Sequence, residues 1–489
     1  MLFRVLRLLV PKSKHSLTLL AVVAVLPVSA QRVNWLFGST DGMEVVSAVS
    51  ARESQAVVRD LWQFRAAVSQ VLPELSRLPR SDLRVFIIDR PAHRNELMTR
   101  ELALDSRFIG KHISRPFYDT IIVDLEFRTI QRQVVQHELT HHLVAHLNRP
   151  IPVWLNEGLA ETYAGAEMDG RRVSFGRLRG GSATYVAYES TLPFDMLWKL
   201  HPAMLNSDQT GAFYGTAHTL VHAGLFGNDE AFRAGFKSLR EDPDLYNMSE
   251  EVVQRHLGMN HAQLERYLAA YLDHGTYRYL RFDRARLGEV PTLSFAPIDP
   301  ADKAALLGSL GMIYNRNHGR AQMVGFDPDP RHVRLAMAMI DMAMGDDDPI
   351  DPRWLAVLEE GRKHPDAPAY LHLASAAAVF YKRTTRLSAD EVAHVVEAIG
   401  AYRARRGLTR AARRYYVRAQ ARAAEPIAPE GIAGLVLLAE RFGADPVLLR
   451  NAATALKRAG AEDRIAHLLE SAAPDSAVAA AAEPGSGEP

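Results

Sequence analysis

All the runs that read as β-strands in this chain lie before residue 125. From Thr129 onward the apolar residues recur at three- and four-residue steps instead. That order predicts an α+β fold: a small N-terminal α/β part with a few-stranded mixed sheet, then helices to the end. Val33–Phe37 and Met43–Val49 read as two strands joined by the turn Gly38–Gly42, and Leu83–Ile88 and Tyr118–Asp124 as two more. Ser50 to Leu75 reads as a helix, with Val57, Val58, Leu61, Phe64 and Val68 on one face.

Residues 129–290 read as helices broken by Gly- and Pro-bearing loops. Pro291, Pro297 and Pro300 then mark a boundary. Beyond it, 300–471 reads as amphipathic helices. The segments His364–Tyr381 and Gly443–Ala473 resemble tetratricopeptide-type helix pairs, which implies an α-solenoid-like region able to hold a protein partner. Residues 1–30 read as an export signal: Arg4, Arg7, Lys12 and Lys14 precede the apolar run Leu17–Pro27 and the small residues Val28-Ser29-Ala30. Removing those four positive charges takes the net charge from +1 to −3. The expected location is periplasmic or secreted, with a membrane role only if the signal stays attached. The Ala/Pro/Gly/Ser-rich residues 472–489 read as a disordered tail.

With 58 Lys+Arg against 57 Asp+Glu, nothing in the charge balance calls for nucleic acid. The Arg-rich run Tyr402–Arg418 reads as a solvated helix face. Cysteine is absent, so a metal would have to be held by His, Asp or Glu.

His137-Glu138-Leu-Thr-His141 supplies such a set. Positions four apart share a helix face, so His137 and His141 can each offer a ring nitrogen to one ion. Glu138, one step round, is placed to take a proton from a metal-activated water. The neighbours at 134, 135, 139, 140, 142 and 143 carry no formal charge, as a buried metal helix requires. A third ligand is needed, with a fourth position left open. His142 and His146 are also four apart, but their face is rotated by about 100° from the metal face, and they read as packing or surface residues.

HELTH followed by Trp154-Leu-Asn-Glu157-Gly-Leu-Ala-Glu161 resembles the gluzincin metallopeptidases, the group that includes thermolysin and the aminopeptidase-N type. The resemblance implies a helical zincin-type catalytic part holding one Zn²⁺ per chain, with Glu157 as third ligand. It implies that Glu161 supports a ligating His, and that Tyr118–Asp124 is the edge strand bordering the substrate cleft. An oxyanion donor is expected downstream, at Tyr214 or His218 on a helix following a turn at Gly211; Tyr163, Tyr185 and Tyr188 compete less well. Only fifteen residues separate His141 from Glu157, and no Gly-x-Met-Glu-Asn precedes the metal helix. Gly42-Met43-Glu44 is a look-alike inside a strand. The implied activity is therefore that of an endopeptidase rather than an aminopeptidase. The alternatives are a scaffold using the helical repeats, and a zinc hydrolase of a non-peptide substrate.

Overall fold

Two strands, β1 (Leu36–Thr40) and β2 (Met43–Ser47), open the fold as an antiparallel hairpin around Asp41-Gly42. Gly42 takes a φ of 81°, which a two-residue hairpin turn requires and a side chain resists. The turn is shorter than the expected Gly38–Gly42, because Gly38, Ser39 and Thr40 remain in register with Val45, Glu44 and Met43. Helix α1 (Ala51–Val71) follows, started by a capping box between Ser50 and Glu53. It ends at Leu72, just before Pro73.

The computed structural model describes residues 34–461 except 73–80, 90–109, 126–130, 148–150, 170, 179–193, 200–201, 243–244, 246–247, 275–276, 315, 347, 382–385, 426, 428 and 442–444. The signal-like residues 1–30, the tail 472–489, His93, Tyr185, Tyr188 and His201 lie outside the described residues.

Strands β3 (Asp82–Ile88), β4 (Gly110–Ser114) and β5 (Tyr118–Asp124) extend the sheet. Three short strands, β6 (Glu167–Met168), β7 (Arg172–Phe175) and β8 (Leu280–Asp283), form a second, antiparallel sheet inside the stretch expected to be helical. β9 (Ala296–Pro297) returns to the first sheet, whose order is β4-β5-β3-β2-β1-β9. β2, β3 and β5 run parallel, and their neighbours antiparallel. The chain is thus mixed α/β. Tyr118–Asp124, expected at an edge, lies between β3 and β4; among the described residues β4 and β9 are the two edges of this sheet. The Pro291–Pro300 segment is stitched to the sheet. Gln55 bonds the carbonyl of Pro291 and the N–H of Leu293, and the N–H of Ile298 bonds the carbonyl of Trp35.

Helices α2 (Gln131–Ala145), α3 (Val153–Ala164), α4 (Ser207–Phe226), α5 (Glu230–Glu241), α6 (Glu250–Leu257) and α7 (His261–His274) come next. After β9 run α8 (Pro300–Tyr314), α9 (Arg316–Met323), α10 (Val333–Asp346), α11 (Pro352–Gly361) and α12 (Tyr370–Tyr381). The last are α13 (Ala389–Arg406), α14 (Arg410–Arg422), α15 (Pro429–Arg441) and α16 (Pro446–Arg458).

Strand alternation assigns the two faces of the first sheet. Val45, Val85, Ile121 and Val123 pack with α1 and α2 in one core. The opposite face carries Glu44, Asp82 and Arg84 toward the C-terminal helices: Glu44 accepts from Arg84 and from Arg334 of α10, and Asp82 accepts from the backbone of Tyr370 and from Arg406. β2, β3 and β5 are buried throughout, their charged residues included. The Arg-rich run is not a solvated face. Arg406 grips Asp41 and Asp82, Arg413 is buried, and Arg414 pairs with Asp445.

Candidate metal centre

One turn of α2 separates His137 from His141, and their Nε2 atoms stand 3.1 Å apart. α3 packs on α2 and brings Glu157 to them, with its Oε2 at 3.5 Å from His137 Nε2 and 3.4 Å from His141 Nε2. Bonds of ~2.0–2.1 Å around a tetrahedral ion put neighbouring ligand atoms about 3.3–3.4 Å apart. Three atoms already sit near that spacing. Glu157 Oε2 is buried and makes no hydrogen bond among the described residues, so a cation would satisfy an atom the chain leaves unmet.

The other ring nitrogens set the direction of approach. His141 Nδ1 is 3.0 Å from Asn156 Oδ1, and His137 Nδ1 is 3.3 Å from Glu161 Oε1. Both partners are acceptors, so each Nδ1 carries the proton and each Nε2 lone pair faces the gap. Glu161 faces His137 from one turn beyond Glu157 on α3. Asn156 was missed, although it lies inside the motif: one residue before Glu157, its side chain reaches the other histidine. With zinc in this gap, Asn156→Ala and Glu161→Ala would each weaken its binding by about 10–100-fold. Competition against a chromophoric chelator measures this, and unchanged affinity would mean that packing alone orients the rings.

The field of the site favours a positive charge. Burial disfavours a charged His137, yet the carboxylates of Glu157 and Glu161, facing its two ring nitrogens, outweigh it and raise its pKa well above the ordinary value. Burial likewise opposes ionised Glu157, but the two imidazoles hold its pKa down to about 2. The carboxylates call for a cation in this gap, whether proton or metal.

Glu138 is buried on the side of α2 that meets β4. Its Oε2 accepts the backbone N–H of His112 at 2.5 Å, which aims the carboxylate. The close approach depends on Gly110, where a Cβ would stand 2.2 Å from Val134 Cγ1. The charge of Glu138 acts on His137, His141 and Tyr214, which places it beside the same gap.

Helix α4 supplies the far wall. It begins at Ser207 through a capping box between Asn206 and Gln209, so Gly211 lies within the helix and is not the turn expected before it. α4 lies close on α3 because of Gly158, where a Cβ would be 2.6 Å from the carbonyl of Ala217. Tyr214 therefore stands beside the ligands, with its ring centroid 6.5 Å from that of His137. Burial, and then the charges of Glu157, Glu161 and Glu138, raise its pKa and keep its hydroxyl protonated. His218 is buried one turn on, and burial lowers its pKa. Tyr163 packs edge-on against Phe175 in the core.

Comparison with protein-family models, with curated proteins and with solved structures finds no match for this chain.

Proposed function

We propose that this chain is an exported zinc-dependent metallopeptidase of gluzincin type, acting as an endopeptidase. The observation that carries the reading is the convergence of His137 Nε2, His141 Nε2 and Glu157 Oε2 on one gap, with Glu138 and Tyr214 beside it. A zinc ion held there supplies Lewis acidity, which acidifies water and polarises a peptide carbonyl. Glu138 takes a proton from the attacking water and returns it to the leaving amine. Tyr214, kept protonated, donates a hydrogen bond to the oxygen on which charge develops. His218, held neutral by burial, is the second choice for that donor. Glu44, the carboxylate of the aminopeptidase look-alike, is committed to Arg84 and Arg334 on the far face of the sheet, which favours the endopeptidase reading. The C-terminal helices, read as a solenoid-like region, would present a protein substrate or partner.

The test compares zinc content and cleavage of an unbiased peptide pool in wild type and Glu157→Ala. The expected variant has lost one zinc per chain and all cleavage. A wild type that takes up no zinc, or a variant that still cleaves, would reject the reading.

A further inference from the structure

We propose that the chain carries a second divalent-cation site, formed by His112 of β4, Asp119 of β5 and His142 of α2, with His146 supporting it. It does not depend on the peptidase reading. Asp119 Oδ2 lies 2.7 Å from His142 Nδ1, 3.5 Å from His112 Nε2 and 3.2 Å from His146 Nε2. The ligand-bearing atoms of His112, Asp119 and His142 all fall within 4.8 Å of one another. These spacings bracket the ligand–ligand separation of about 3.3–3.4 Å around a zinc-sized ion.

Hydrogen bonding alone does not account for the cluster. A carboxylate oxygen has two lone pairs, and here three imidazole nitrogens surround one oxygen. Asp119 is 1% exposed, and its other oxygen is already taken by Ser114 Oγ at 3.0 Å. The His112 side chain is 9% exposed, and its Nε2 makes no hydrogen bond among the described residues. A cation between His112, His142 and Asp119 would satisfy all three. His146, itself 2.9 Å from Ser81 Oγ, and Ser114 would then hold the carboxylate in place. A cavity of ≈ 560 Å³ reaches Asp119 and His146.

The position gives the site a purpose. Its ligands come from an edge strand, an inner strand and the helix bearing His137 and His141, so one ion would clamp the three together. The clamped strand is the one whose His112 N–H holds Glu138, and the His112 ring lies 6.1 Å from that of His141. α2 would thus serve two ions on adjacent faces, His142 being part of a site rather than packing. The acid of this site, Asp119, arrives from a strand 23 residues upstream of His142, beyond the reach of helical spacing.

Zinc stoichiometry by elemental mass spectrometry, on the purified protein stripped with chelator and reloaded, decides it. The expected result is two zinc per wild-type chain and one in each of Glu157→Ala and His112→Ala, with none in the double variant. A single zinc that Glu157→Ala abolishes and His112→Ala leaves in place would overturn the second site while sparing the first. A single zinc with the opposite pattern would support the second site and remove the peptidase centre. Circular dichroism checks folding; if His112→Ala is not folded, His112→Gln carries the same comparison.

Discussion

Glu138→Gln should lower peptide turnover by about 10²–10⁴-fold, the usual contribution of a positioned general base, while zinc content stays at the wild-type level. The amide has the shape of the carboxylate, and its oxygen can still accept the His112 N–H that now binds Glu138 Oε2. What it lacks is a basic lone pair for the proton of the attacking water. The pairing of a large kinetic loss with an intact metal complement distinguishes a base from a ligand. Steady-state kinetics with one cleaved peptide, beside metal analysis of the same preparation, measures both. Turnover at the wild-type rate would remove Glu138 from the mechanism. Loss of zinc would make it a ligand, and the ligand set would need redrawing.

Glu44→Ala should reduce the free energy of unfolding by about 3–5 kcal/mol, as breaking a buried ion pair does when the other charge is stranded. Glu44 faces Arg84 across the parallel pair β2–β3, and its Oε2 accepts from Arg84 Nε and Nη2 at 3.1 and 2.9 Å. Its Oε1 accepts from Arg334 at 2.8 Å and from the Tyr370 hydroxyl at 3.1 Å. Removing the carboxylate strands the Arg84 guanidinium, whose side chain is 3% exposed, while Arg334 keeps its pairing with Asp302. Burial pushes the pKa of Glu44 up, but the arginines outweigh it and bring it down to about 2. Because the folded value lies below the ordinary glutamate value of 4.5, this contribution is complete above about pH 4.5 and is lost as pH falls through about 2. Urea unfolding at pH 7 and pH 3 tests both statements. A loss under ~1 kcal/mol at pH 7 would mean that water reaches the arginines.

What could be read from the sequence was local. α2 announces itself because the helical repeat ties the spacing of His137 and His141 to one face, whereas Glu157 and Glu161 were named only through the family resemblance of the segment Trp154–Glu161. β5 was legible as a strand because YDTIIVD is rich in β-branched residues. β4 was not: Gly110-Lys-His-Ile-Ser114 alternates no apolar face, and its role comes from what lies on either side of it. The same holds for Asp119 and for the arginines of α13 and α14. The partners that give them their roles, His142 for Asp119 and Asp82 for Arg406, lie 23 and 324 residues away, where no periodicity reaches. Asn156 was hidden differently. It sits in the motif, but which histidine it touches depends on how α3 crosses α2.

The central strands have helices on both faces, and this bears on how the protein is lost as well as how it works. A sheet shared in this way leaves neither half a foundation of its own. Cutting the chain near Pro300 would uncover Glu44, Arg84 and Asp82, and would loosen the strands on which α2 rests. The two halves should therefore melt in one cooperative transition, and a protease that clips the C-terminal helices would also loosen α2 and the candidate site it carries.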